Sequence, residues 1–165
     1  MKMKTLFAII ISTLLLVSTA GCHTSNTNEE RIADDDEVLL IFDLNTKDEI
    51  YQISMDFIVD EKIVGRAGTR NANSTPFAKD ERIYYSIVKG VDLNKDLDIS
   101  KLSLQFYVAD FINDFGEPDD EYKIENEIKL VAGYGNVYYI TIAGDKENGY
   151  FAFLKPQIQM RIRER

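Results

Sequence analysis

From Tyr51 to Val59 the chain alternates. Tyr51, Ile53, Met55, Phe57 and Val59 fall on one parity, and Gln52, Ser54 and Asp56 on the other. Successive side chains of an extended strand point to opposite faces, so this order separates an apolar face from a polar one only in a β-strand. The same period returns along the chain. Ile83, Tyr85 and Ile87 carry it between Arg82 and Lys89, and Leu102, Leu104, Phe106 and Val108 carry it further on. Val38 to Leu44, Lys123 to Ala132, Val137 to Ala143 and Tyr150 to Leu154 are further runs rich in β-branched and aromatic residues, and Ile158, Met160 and Ile162 suit a last edge strand. Turn signals separate the runs. Asp60-Glu61-Lys62 closes a hairpin into Ile63-Val64, Asn71 to Pro76 is a loop, and Gly144 to Gly149 is a second turn. The mature region shows no amphipathic helix and no internal repeat. The pattern predicts an all-β fold, an antiparallel β-sandwich of seven to nine strands, with an immunoglobulin-like arrangement in view. The alternative is a small β-barrel.

The N-terminus is different. Lys2 and Lys4 precede Leu6 to Val17, which is apolar but for Ser12 and Thr13, and then Ser18, Thr19, Ala20 and Gly21 lead to Cys22. Basic, then apolar, then small is the order of a secretory signal peptide. The apolar run is about a dozen residues, short of the ~20 that span a bilayer as a helix. Thr19-Ala20-Gly21-Cys22 resembles the lipobox of bacterial lipoproteins, differing from the common pattern in having Thr19 where leucine is usual. The resemblance implies that the Cys22 thiol is acylated and that the bond before it is cut. Residues 1–21 are then a signal peptide, 22–37 a lipidated cysteine with a flexible tether, and 38–165 a single β-sandwich domain. Two or more acyl chains hold a protein on a membrane durably, at roughly 0.8 kcal/mol per buried methylene. An aspartate after the cysteine would resemble the inner-membrane retention signal of Gram-negative cells, and His23 stands there instead. The expected location is the extracytoplasmic face of the cell membrane. The mature part is similar in texture to small sandwich-domain lipoproteins of low-GC Gram-positive bacteria.

Charge and residue counts narrow the function. The chain has 19 basic and 28 acidic residues, and residues 1–21 hold two of the lysines and none of the acids, which leaves a mature net charge near −11. That repels nucleic-acid phosphates and anionic headgroups, so nucleic acid is not an expected partner. Residues 23–37 are polar and aperiodic, and a coil of that length has a typical span of about 20 Å. Cys22 is the single cysteine and His23 the single histidine. No Ser-His-Asp or Cys-His constellation can be assembled from them, and no zinc site of histidines and thiolates. A non-enzymatic protein without disulfides is expected. Carboxylate-dependent hydrolysis remains the catalytic alternative, although the chain has no tryptophan to make a sugar platform. Asp114-Phe115-Gly116 matches the kinase metal-binding triplet by chance, because no other kinase signature accompanies it. Asn73-Ser74-Thr75 is a sequon without consequence in a bacterial setting.

Three features suggest binding. Asp92, Asn94, Asp96 and Asp98 place oxygen-bearing side chains at every second position, which resembles the first half of an EF-hand loop. Leu97 stands where that loop needs glycine, and Ser103 where a bidentate glutamate closes it. A looser inter-strand calcium site is the form expected, joined by Asp110, Asp114 or Asp119; no other cofactor is implied. Tyr134, Tyr138, Tyr139 and Tyr150 cluster late in the chain and are candidates for a contact face, since tyrosine offers large area at small entropic cost. Arg161, Arg163 and Arg165 make a basic C-terminus suited to protecting a strand edge or touching wall polymers. The functional expectation is a monomeric, membrane-anchored binding module whose partner is a protein or an envelope polymer. The alternative is an accessory subunit of an envelope complex.

Overall fold

The computed structural model describes residues 31–113, 117–131 and 133–155. The strands all belong to one compact unit, Ile32–Arg165. They are β1 (Glu37–Thr46), β2 (Gln52–Val59), β3 (Lys62–Arg70), β4 (Ile83–Val88), β5 (Ser103–Ala109), β6 (Tyr122–Lys123), β7 (Ile128–Lys129), β8 (Asn136–Asp145) and β9 (Gly149–Leu154), with one 3-10 turn at Ile99–Lys101. One sheet has the order β4-β1-β8-β9; the other runs β3-β2-β5-β6, with β7 also on β5. The protein is a β-sandwich, and neither sheet closes into a barrel.

The alternation in β2 does what its spacing predicts. Ile53, Met55, Phe57 and Val59 are buried between the sheets, where they meet Leu104, Phe106 and Val108 of β5. Val38, Leu40 and Phe42 of β1 and Ile140 and Ile142 of β8 come from the other side. Phe42 meets Phe106 edge-on across the layers, with ring centroids 5.5 Å apart and planes at 87°.

Not every pair is antiparallel. β1 runs parallel to β8, from Val38 opposite Asn136 to Thr46 opposite Gly144. The reason lies in Val38-Leu39-Leu40-Ile41-Phe42, an unbroken apolar run. Parallel strands are central and covered on both faces, so their sequences lose alternation. Here Leu39 and Ile41 point away from the main core yet are buried, packed with Ala33, Val137 and Tyr139. Among the described residues, Ala33 is the first to pack against this face. Glu37, also buried, accepts a hydrogen bond from the Asp34 N–H through its carboxylate (3.1 Å).

The run from Lys123 to Ala132, expected as one strand, is split. β6 and β7 each hold two residues, and between them the chain turns to the other sheet. The Asn126 side-chain amide donates to the Ala152 carbonyl (2.7 Å) and accepts from the Ala152 N–H (2.9 Å), acting as a backbone pair for β9. The Glu125 N–H donates to the Tyr150 carbonyl (3.0 Å). These bonds stitch the two sheets along one side. The turns follow local chemistry. Asp60 and Glu61 both take positive φ (47° and 63°), as a two-residue hairpin turn requires. Gly144 has φ 111°, and a Cβ there would lie 2.2 Å from the Gly149 carbonyl oxygen, so no other residue fits.

Phe57 is 1% exposed and sits in the main core. Phe57→Ala should cost about 3–5 kcal/mol in urea denaturation. A loss below about 1 kcal/mol would remove this side chain from the core.

Candidate functional site

Cys22, Asp114, the arginines at 161, 163 and 165, and the expected strand through Ile158, Met160 and Ile162 lie outside the described residues. The acidic loop after β4 lies within them. The side chains of Asp92, Asn94 and Asp98 turn back onto nearby backbone. Asp92 accepts from the Tyr85 hydroxyl on one oxygen (2.7 Å) and from the Val88 N–H on the other (2.7 Å). Burial, and then this bond to Asp92, raise the Tyr85 pKa. Asn94 accepts from the Asp96 N–H (3.1 Å). Asp98 caps the 3-10 turn by accepting from the Ser100 N–H (3.0 Å), which lowers its pKa. Asp110 takes a proton donor from elsewhere, Lys146 (3.1 Å), and Asp119 takes Asn113 (3.2 Å). Among the described residues no three acidic, histidine or cysteine side chains stand together in reach of one metal ion.

The tyrosines are dispersed by the pleat. Tyr138 points toward the main core and donates to the Val131 carbonyl (2.7 Å), while Tyr139 covers Leu39 and Ile41 on the opposite face. Tyr134 lies against the main core under Lys89, whose ammonium is 5.4 Å from the ring centroid. Tyr150 is buried and donates to Asp48 (2.7 Å), which also accepts from the Lys146 N–H (2.8 Å). The Tyr150 bond is the first cause of a lowered Asp48 pKa; burial, then Asp48, raise that of Tyr150. Beside them Asp145 pairs with Lys47 (2.5 Å) and accepts from the Glu147 and Asn148 N–H groups. The Lys47 ammonium, then the Asn148 N–H, bring the Asp145 carboxyl down to about 2. These carboxylates clip the β1–β2 loop to the β8–β9 turn.

A polar constellation emerges on the outer face of the five-stranded sheet. β2 contributes Gln52, Ser54 and Asp56, β3 contributes Arg66, Gly68 and Arg70, and β5 contributes Gln105 and Tyr107; the register sets Arg66 beside Asp56 and Gly68 beside Ser54. Arg66 pairs with Glu121, lies 3.6 Å from Asp56, and stacks over Tyr107 at 4.7 Å from the ring centroid. Tyr107 donates to Asp56 (2.9 Å), Ser54 to Glu121 (2.7 Å) and Gln52 to Ser54 (2.8 Å). Asp56 and Ser54 are buried beneath these longer side chains. Burial, then the Asp56 bond, raise the Tyr107 pKa. Over Gly68 opens a cleft of about 360 Å³, lined by Gln52, Ser54, Arg66, Gly68, Arg70 and Glu121 among others. Each carboxylate here is engaged by a cation or hydroxyl, so the arrangement suits recognition through hydrogen bonds. The parity of Gln52, Ser54 and Asp56 announced a polar face in the sequence; their long-range partners Arg66, Tyr107 and Glu121 left no local sign. A second cleft of about 520 Å³ lies by the β2–β3 turn, where Lys101 pairs with Asp60 (3.1 Å).

No family model and no curated protein matches the sequence. Among solved structures the chain is similar to the membrane-binding domain of pneumolysin, at 10% identity and a TM-score of 0.36, over 73% of this chain and 97% of that one. It is also similar to whole pneumolysin, at 13% identity and a TM-score of 0.33, over 72% of this chain and 23% of that one. Likeness at this level carries no argument about function.

Two measurements follow from the acidic residues. Asp145→Asn should be less stable than wild type at pH 7. A carboxyl depressed from 3.8 to about 2 stabilises the fold above pH ~4, and the contribution is lost as pH falls through 2. The gap between variant and wild type should therefore close between pH 4 and pH 2; a constant gap would contradict the assignment. Asp92→Ala should cost about 2–3 kcal/mol through two lost charge-assisted hydrogen bonds. An equal loss in millimolar calcium and in chelator is expected from the bonding seen. A calcium-dependent rise in wild-type melting that Asp92→Ala abolishes would show a cation held at this loop.

Proposed function

We propose that the protein is a membrane-anchored extracytoplasmic lipoprotein whose β-sandwich is a non-catalytic interaction module. The observation that carries the reading is the order Lys2, Lys4, the apolar run Leu6 to Val17, and Thr19-Ala20-Gly21-Cys22. The fold is compatible with it. Ala33 is buried, and ten residues lie between it and Cys22 in the sequence. Fully extended, ten residues reach about 35 Å, enough to hold a domain clear of lipid headgroups. No helix among the described residues is long and apolar enough to cross a membrane. A non-catalytic role is supported by the residues at hand. The single histidine adjoins Cys22, and the half-buried and buried carboxylates at 48, 56, 92 and 145 are each committed to hydrogen bonds within the fold.

The test is fatty-acid labelling in a bacterial host. Wild type should incorporate label and be shortened to begin at Cys22. Cys22→Ser should incorporate none and keep its N-terminal segment. Wild-type protein cleaved elsewhere, with an unmodified thiol at Cys22, would overturn the reading.

A further inference from the structure

We propose that β3 is a docking edge that accepts an extended acidic segment of a partner protein as an additional strand. The inference rests on the interaction-module reading and names its partner class; it does not depend on the anchor. β3 is nine residues long and lies at the end of its sheet, paired on one side with β2. Apart from that pairing, no backbone N–H or carbonyl of residues 62–70 has a partner among the described residues. An unpaired edge of this length is a template for another strand. The other long edges carry polar partners. β9 is occupied by Asn126 and Glu125, and β4 ends at Val88, whose N–H is held by Asp92.

Side chains define the occupant. Lys62 and Arg70 are exposed cations without an ion-pair partner among the described residues, in a chain of net charge −9. Arg66 stands between them. Antiparallel pairing with a second copy centred on Arg66 would set Arg66 against Arg66 and Lys62 against Arg70, and like charges directly opposite are unfavourable. Lys62 and Arg70, the two cations not already paired, select a carboxylate-bearing strand. Gly68 leaves a gap in the side-chain row of β3, and the cleft above it, bounded by Gln52, Ser54, Arg66, Arg70 and Glu121, receives a side chain from the added strand. At the other end Ile63 (65% exposed) and Val64 (40%) present apolar surface. The fitting segment is therefore acidic where it passes Arg70 and apolar where it passes Ile63 and Val64. Antiparallel addition puts its acidic end first.

The experiment uses the full chain in detergent micelles and the synthetic peptide Glu-Thr-Glu-Thr-Thr-Thr-Val-Val-Thr, with a counterpart in which lysine replaces each glutamate. The acidic peptide should bind and slow amide hydrogen exchange within residues 62–70. The lysine peptide should bind at least tenfold more weakly. The double variant Lys62→Glu, Arg70→Glu should reverse that preference while its melting temperature stays within a few degrees of wild type. Equal binding of both peptides, or slowed exchange confined to other strands, would overturn the proposal. So would slowed exchange at 62–70 that grows with protein concentration in the absence of peptide, which would give the edge to a second copy. Fatty-acid labelling of Cys22 is read separately, so failure of either result leaves the other standing.

Discussion

The double burial of β1 organises this sandwich. A strand in a two-layer fold normally hides one face, but β1 hides both along most of its length, with Val38 through Phe42 all at most 1% exposed. It therefore needs a neighbour on each side and cover on each face. β4 and β8 supply the neighbours, and β8 does so in parallel over nine residue pairs. A parallel partner cannot arrive by a tight turn; the chain must first cross to the other layer and return. The second sheet, made of β2, β3, β5, β6 and β7, is built within that crossing, and β4 returns to the first sheet on the way.

Two layers joined by so much intervening chain still have to be held in register at their rims, and polar side chains do that work. Asn126 substitutes for a strand along β9. Asp48 and Asp145 gather Tyr150, Lys146 and Lys47 at the base of the last hairpin, and Asp92 ties the exit of β4 to Tyr85. An acidic chain without disulfides thus uses its carboxylates as local fasteners. Each satisfies backbone or hydroxyl donors that burial would otherwise leave costly. Of the alternating oxygens at 92–98, spaced as a cation loop is spaced, those of Asp92, Asn94 and Asp98 accept from backbone N–H groups close by in the chain. Oxygen spacing along a sequence does not distinguish a carboxylate that awaits an ion from one that accepts an N–H four residues back, as Asp92 does from Val88.

Much of the fold was legible for the same physical reason that β2 was. Where one face is wet, alternation records the pleat, and Ile53, Met55 and Phe57 declare themselves. It failed where a strand is buried on both sides, because Val38 to Phe42 give no parity and hence no hint of direction. It failed again where a side chain replaces backbone, since nothing in Ile124-Glu125-Asn126-Glu127 announces that Asn126 will face β9. The tyrosines show a third limit. Tyr138 and Tyr139 had to take opposite faces, but which face was the core depended on pairing with β1, some hundred residues earlier. The polar face of β2 was visible; Arg66, Tyr107 and Glu121, which convert it into a cleft, come from three separate places in the chain.

The proposed function has two parts, an anchor and a docking edge. Ala33 lies against Leu39 and Ile41, on the outer side of the four-stranded sheet, so the chain enters the domain over that layer. β3 and the cleft above Gly68 belong to the other layer. A lipid attached at Cys22 would hold the domain at the membrane. The tether's short reach would then act on β3 only by raising the local concentration of partners held at the same membrane, since a link of fixed length converts encounter in solution into encounter within its span. On this arrangement the acidity of the domain has a use beyond solubility. It disfavours contact with anionic surfaces while Lys62 and Arg70 remain a local exception, directed at a carboxylate-bearing strand.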